Sequence, residues 1–340
     1  MRTAEIALEF QNYIERPPIP TENLYAQSCS NDTVTINSWR DVWISQLKAN
    51  HAKHGPFKSK SIGELFGKNK YKPAIIAGSG PSLKVNAAEL KKRGDILLIS
   101  CLHNFHFFED QGVAPDYYVT LDAGPVTIDE VSEGGTKTAE EYWAMTKDRT
   151  LLAFVSTHPE LLAKWQGKIL FFNAPVPDQE FQKTIDELER FNTYVSTGGN
   201  VLGACLYIAR AIMQSATIAF MGADFAFSYN HGKGHKFHAW DSKYDKNLGN
   251  YLKAIDIYGN AVKTWQSYSN FKAWFECVAI KCPGLWINCT EGGTLGAYPE
   301  GNIMAIRQME LKAFIEMYEM GELIKESCLN PSIEQRVIAF

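Results

Sequence analysis

The sequence has 340 residues, 45% hydrophobic and 12% aromatic, with a formal net charge of −4. This composition excludes a disordered chain and a global field for polyanions, and the length allows one large α/β domain with extensions or two domains. Apolar runs such as residues 74–78 and 96–101 are far shorter than the roughly 20 residues that cross a bilayer, and MRTAEIALEFQNYIERPP lacks the continuous apolar stretch of a secretory leader, so a cytoplasmic protein without a membrane span is expected.

Residues 1–71 read as an N-terminal extension: a PPIP stretch, a Trp-bearing amphipathic helical segment at 38–49, and a basic linker. The linker, 48–72, holds Lys48, Lys53, Lys58, Lys60, Lys68, Lys70 and Lys72 against Glu64 alone. Interleaved Gly, Ser and Asn favour a solvated linker, with contact to the phosphates of DNA as the alternative.

From residue 72 the pattern alternates. PAIIAGSGPSL predicts a buried strand at 74–77 entering a Gly-Pro turn, and AAELKKRG predicts a helix closed by Gly94. Further strands are predicted at 95–101, 116–122, 150–156, 168–172 and 216–224, with helices between them, including a Gly-initiated apolar helix at 196–214. A turn around Gly259, a helix at 270–279, a last strand in LWINCT and a closing helix at 306–320 complete the chain. The alternation predicts an α/β, Rossmann-like, open and mostly parallel sheet flanked by helices, with an N-terminal helical extension and a C-terminal helix. The expected division is 1–71, a catalytic domain at 72–305, and a C-terminal helical segment at 306–340. Seven cysteines without a C-x-x-C pair read as reduced thiols, which leaves no redox cofactor and no cysteine metal site expected.

Three places could carry chemistry. In AGSGPSLK, Gly78 and Gly80 permit a close approach that a Cβ would block, Pro81 suits a first helical position, and Ser82 sits where a helix begins. A phosphate fits such a turn on free N–H groups, although the motif is neither a Walker loop nor a dinucleotide fingerprint, and an ordinary serine-capped turn is the alternative. The next strands end in Cys101-Leu102-His103-Asn104 and in Asp122-Ala123-Gly124, and in an open parallel sheet ligands gather beyond such ends, so one crevice is expected. Asn104 could bond a phosphate or base, and Asp122 a ribose, a metal or a substrate hydroxyl; a capping role is the alternative for each. After the 216–224 strand, Asp224 precedes a loop carrying His231, His235 and His238. Histidine there suits a general base, while a metal site from Asp224, His235 and His238 has no recognised spacing.

The ordered set IIAGSGPSLK, GVAPDYYVTLD, STGGNVLGACLYIA with IAFMGADFAFS, and GNAVKT with INCTEGGTLGAY resembles the MptE-like family. That family includes the Maf flagellin glycosyltransferases and the archaeal 6-hydroxymethyl-7,8-dihydropterin pyrophosphokinases, and the set is similar in outline to bacterial sialyltransferases. The resemblance spans about residues 72–298, and its last two parts look more like the Maf branch. It implies a nucleotide-sugar donor with its phosphate on Gly78, Ser79, Gly80, Pro81 and Ser82, Asn104 beside it, and Thr197, Gly198 and Gly199 in the donor set. A base is implied near His235 or His238, where GHKFHA departs from the family pattern and offers two candidates.

The expectation is therefore a glycosyltransferase: the turn holds the leaving phosphate, Asp122 and Asp224 orient donor or acceptor, and a loop histidine takes the acceptor proton. The acceptor is a hydroxyl of a protein, a glycan or a modified DNA base. The rival readings are a pterin pyrophosphokinase, in which Asp122 and Asp224 hold magnesium for ATP, and a catalytically silent nucleotide-binding protein.

Overall fold

The computed structural model describes residues 24–227, 252–282, 284–299 and 301–321. In chain order the elements are α1 (Leu24–His54), β1 (Ala74–Ala77), α2 (Leu83–Asn86), β2 (Leu97–Cys101), α3 (Phe105–Gln111), β3 (Tyr117–Thr120), α4 (Val126–Ser132), α5 (Ala139–Met145), β4 (Thr150–Phe154) and α6 (Pro159–Lys164). They continue through β5 (Lys168–Phe172), α7 (Gln179–Leu188), α8 (Val201–Tyr207), β6 (Thr217–Met221), β7 (Leu252–Ile255), β8 (Ala261–Thr264), α9 (Gln266–Lys281), β9 (Leu285–Asn288), β10 (Arg307–Gln308) and α10 (Leu311–Glu319).

Two compact units divide the described chain, one built from residues 71–96 and from 216 onward, the other from 25–70 and 97–215. In the first unit β1, β6, β9 and β10 lie in the order β10-β9-β6-β1, all parallel. In the second, β2, β3, β4 and β5 pair in sequence order, again parallel. Eight parallel strands among the described residues, with helices between them, form the expected α/β, Rossmann-like architecture. The antiparallel hairpin β7–β8 is the departure. The strands are short and apolar on both faces: every residue of β1, β2 and β6 is buried, which is what a sheet covered on both sides requires.

The basic stretch 48–72 is not a solvated linker. Helix α1 runs through its first turns to His54, and two short 3₁₀ turns follow at Phe57–Lys60 and Ile62–Leu65. Phe57, Ile62 and Leu65 are wholly buried, and the Glu189 carboxylate accepts from Phe57 N (2.6 Å) and Lys58 N (2.9 Å). Apolar anchors spaced among lysines pull the backbone in while the lysine stems leave the charges outside. Glu64 is in turn ion-paired with Lys68 and Lys168.

The predicted helix after the 78–82 turn is also cut short. Four α-helical residues, Leu83–Asn86, give way to a 3₁₀ segment, Ala87–Lys92, and the break falls at Asn86 (φ −121°). Its side-chain amide donates to the Cys289 carbonyl (2.8 Å) and to Glu291 Oε1 (3.0 Å), an anchorage that overrides helix continuation. Among the described residues no helix is long and apolar enough to cross a membrane.

Candidate functional site

In the first unit the parallel register sets Ala77 opposite Met221, so the chains leaving β1 and β6 emerge side by side. Gly78 N donates to the Met221 carbonyl (2.9 Å) and Gly80 N to the Gly222 carbonyl (2.8 Å). Gly222 takes a left-handed φ of +58°, and two residues on, Asp224 turns its carboxylate under the 78–82 turn. Ser82 Oγ donates to Asp224 Oδ2 at 2.7 Å, and Ser82 N approaches Oδ1 at 3.2 Å. The loop after β9 closes the same place from the other side: Thr294 N donates to the Asp224 carbonyl (2.8 Å), and Ala223 N to Thr290 Oγ1 (3.2 Å).

This geometry changes the meaning of the glycines. The sequence reading reserved Gly80 for the close approach of a ligand; a Cβ there would instead lie 2.0 Å from Asp224 Oδ2 and 2.7 Å from the Gly222 carbonyl. The space is taken by the protein's own carboxylate. Asp224 is buried, and burial raises its carboxyl to about 7 against the opposing pull of the two Ser82 bonds. Gly78, Gly80, Ser82 and Leu83 all donate their N–H groups internally, and Pro81 has none. Among the described residues the N–H of half-buried Ser79 is the one amide of the turn without a protein acceptor. With α2 only four residues long, the helix dipole adds little, and anion binding here rests on single N–H groups.

In the second unit Asn104 is wholly buried in the 3₁₀ turn after β2, its amide donating to Ser100 Oγ (3.0 Å). Asp122 lies two residues beyond β3 and is exposed to solvent; crowding by neighbouring protein atoms, with the Glu130 charge added, pushes its carboxyl up, and His103 pulls the other way. His103 Nδ1 is 2.6 Å from Glu130 Oε1. Thr197, Gly198 and Gly199 make a tight turn ahead of α8, with both glycines left-handed (φ +59° and +92°), Gly199 N donating to Thr197 Oγ1 (3.1 Å) and Asn200 capping the helix through Gly203 N (3.0 Å).

The structure thus joins the 78–82 turn with Asp224 in one unit, and gathers Asp122 with two residues that the sequence reading left without a role, His103 and Glu130, in the other. The order of strand ends pointed to His103; nothing in the sequence pointed to Glu130, which sits in the second turn of α4. Asp122 and Asp224, paired in the sequence reading as magnesium ligands, belong to different units, and among the described residues no group of three or more His, Cys, Asp or Glu side chains could hold a metal ion. His235 and His238 lie outside the described residues.

The family model described as 6-hydroxymethylpterin diphosphokinase MptE-like matches residues 48–230. Among solved structures, the MAf glycosyltransferase from Magnetospirillum magneticum AMB-1 is similar in fold, with a TM-score of 0.51 and 12% identity over 82% of this chain. The match takes in 44% of that longer chain. No curated protein matches the sequence.

Proposed function

Since this chain belongs to the MptE-like family, we propose that it transfers part of a nucleotide-activated donor to an acceptor, and that the donor is a nucleotide sugar and the acceptor a hydroxyl. The observation that carries the reading is the turn at 78–82, held rigid by Asp224 at the C-terminal ends of two parallel strands, where open α/β sheets bind nucleotides. The fold likeness to a glycosyltransferase favours the sugar.

In this reading Ser79 N and the surrounding turn of Gly78, Gly80, Pro81 and Ser82 meet the donor's phosphate, and Asp224 keeps that turn in shape from below. His235 or His238 takes the acceptor proton. The acceptor oxygen bonds to the anomeric carbon as the carbon–oxygen bond to phosphate breaks, its electron pair leaving with the nucleotide. The second reading, pyrophosphoryl transfer from ATP to a pterin, is favoured by the description of the family model itself.

The test is a thermal-shift and turnover screen against CMP, UDP, GDP and ADP sugars and ATP, with and without magnesium. One nucleotide sugar is expected to stabilise the protein by about 2.7 kcal/mol at a hundredfold excess over its Kd, and to be slowly hydrolysed. Stabilisation by ATP and magnesium alone, with AMP formed in the presence of a hydroxymethylpterin, would replace sugar transfer with the kinase reading. Binding without turnover of any donor would leave a silent nucleotide-binding protein.

A further inference from the structure

In the first unit, helix α9 carries Lys272 and Glu276 at i and i+4, and both are buried in full, at 1% and 0% exposure. They bond less to each other than to the loop that follows β9. Lys272 Nζ stands 3.8 Å from Glu276 Oε1 and makes its closer bond to the Ala297 carbonyl, at 3.0 Å, with the centroid of the Tyr298 ring 3.9 Å away. Glu276 accepts from Gly296 N (2.7 Å) and from the Tyr298 hydroxyl. The side-chain amides of Asn288 and Gln308 both donate to the Leu295 carbonyl (3.2 and 3.1 Å). Each residue from 295 to 298 is thus held by a polar side chain. The residue before them, Thr294, donates from both N and Oγ1 to the Asp224 carbonyl, at 2.8 and 3.2 Å. Gly293 leaves no slack in this contact, since a Cβ there would lie 2.3 Å from Asp224 Cα.

Helix stability does not explain the pair. Lysine ahead of glutamate is the weaker order at i, i+4, and a buried ion pair can often be replaced by apolar side chains of similar volume without loss of stability. What apolar side chains cannot do is bond the backbone at 296 and 297. We propose that Lys272 and Glu276 are positioning residues for donor binding, holding the 294–298 loop so that Asp224 stays under the 78–82 turn. The proposal rests on the reading of that turn as the donor's phosphate site. The contacts run from Glu276 to Gly296, from Ala297 N to the Thr294 carbonyl (2.9 Å), from Thr294 to the Asp224 backbone, and from the Asp224 carboxylate to Ser82 N and Oγ. Every member belongs to the first unit. A satisfied buried network of this kind fixes one arrangement of the groups it bonds, as an outer layer of hydrogen bonds orients the side chains around a bound metal.

The experiment compares the full wild-type chain with the double variants Lys272→Met/Glu276→Met and Lys272→Met/Glu276→Gln. The readings are thermal melting, amide hydrogen exchange, and titration with whichever of the CMP, UDP, GDP or ADP sugars shifts the wild-type melt. Lys272→Met/Glu276→Met keeps the volume and removes the network, so it should melt close to wild type. Its Thr294 and Ser82 amides should nevertheless exchange about tenfold faster or more while those of β1 do not, and the nucleotide sugar should bind about tenfold more weakly or worse. Lys272→Met/Glu276→Gln keeps an acceptor for Gly296 N and should recover part of both the protection and the affinity. Unchanged exchange at Thr294 and Ser82 would overturn the proposal, as would unchanged affinity. Faster exchange that extends equally to β1 would overturn it too, because the network would then hold the unit together rather than the turn in place. If Lys272→Met/Glu276→Met does not fold, Lys272→Met/Glu276→Gln carries the same readings. If no nucleotide sugar binds the wild type, the donor reading falls by itself, and exchange at Ser82 still decides whether the network reaches the turn.

Discussion

Replacing Asp224 with Asn should abolish most of the fall in stability that the wild-type protein shows between about pH 4 and pH 7. The Asp224 carboxyl rises from its ordinary 3.8 to about 7 because it is buried. Over that interval the unfolded chain gives up the proton while the folded chain keeps it, so the folded state binds more protons and stability falls as pH rises. The contribution is fully present below pH 4 and is lost by the time pH passes 7. A difference of this size corresponds to a few kcal/mol, on the order of 4. Asparagine preserves the local bonds: its carbonyl can accept from Ser82 N, and its amide can donate to a rotated Ser82 hydroxyl. Asp224→Asn should therefore melt close to wild type at pH 4 and well above it at pH 8. Thermal melts of the two proteins at pH 4, 6 and 8 decide the matter; parallel curves would mean that Asp224 titrates as an ordinary surface carboxylate.

Gly80→Ala should be the most damaging single methyl that can be added to the turn. Its Cβ would stand 2.0 Å from Asp224 Oδ2 and 2.7 Å from the Gly222 carbonyl, and neither neighbour is the far end of a flexible chain. Relief requires Asp224 to move, which breaks its bonds with Ser82 and leaves a buried carboxyl without donors. Overpacking and the lost bonds together should cost about 3 kcal/mol or more, and donor binding with them. Gly94→Ala is the control: Gly94 is also left-handed (φ +59°), but a Cβ there would touch nothing within 4 Å, so only the backbone strain of about 1–2 kcal/mol should appear. The clash can be separated from general intolerance by a double-mutant cycle. In an Asp224→Gly background the penalty of Gly80→Ala should fall by at least 1 kcal/mol; equal penalties in both backgrounds would place the damage elsewhere than on the carboxylate.

Much of the architecture was readable from the chain alone because it is written in local runs. Four consecutive apolar residues bounded by turn formers, as at 74–77 and 218–221, are too short for a helix and read as strands of a sheet covered on both faces, and their alternation with helical segments points to the parallel arrangement. The Gly-Pro turn was readable for the same reason, since glycine and proline act on the backbone where they stand.

What surrounds that turn was not readable, because its partners are far away in sequence. Ser82 and Asp224 are 142 residues apart, and the Asn86 contacts that end α2 reach across more than 200. Composition made 48–72 look like a solvated linker, since three buried anchors, Phe57, Ile62 and Leu65, carry less weight in a local window than seven lysines, though they decide where the backbone lies. His103 and Glu130 belong to different elements, and nothing in either segment announces the other. Sequence determined which segments are strands and where the chain turns, through propensity and periodicity acting over a few residues. Tertiary packing alone decided that the glycine of the turn makes room for a carboxylate and that a histidine is held by a glutamate, since both depend on distances set by strand register and burial.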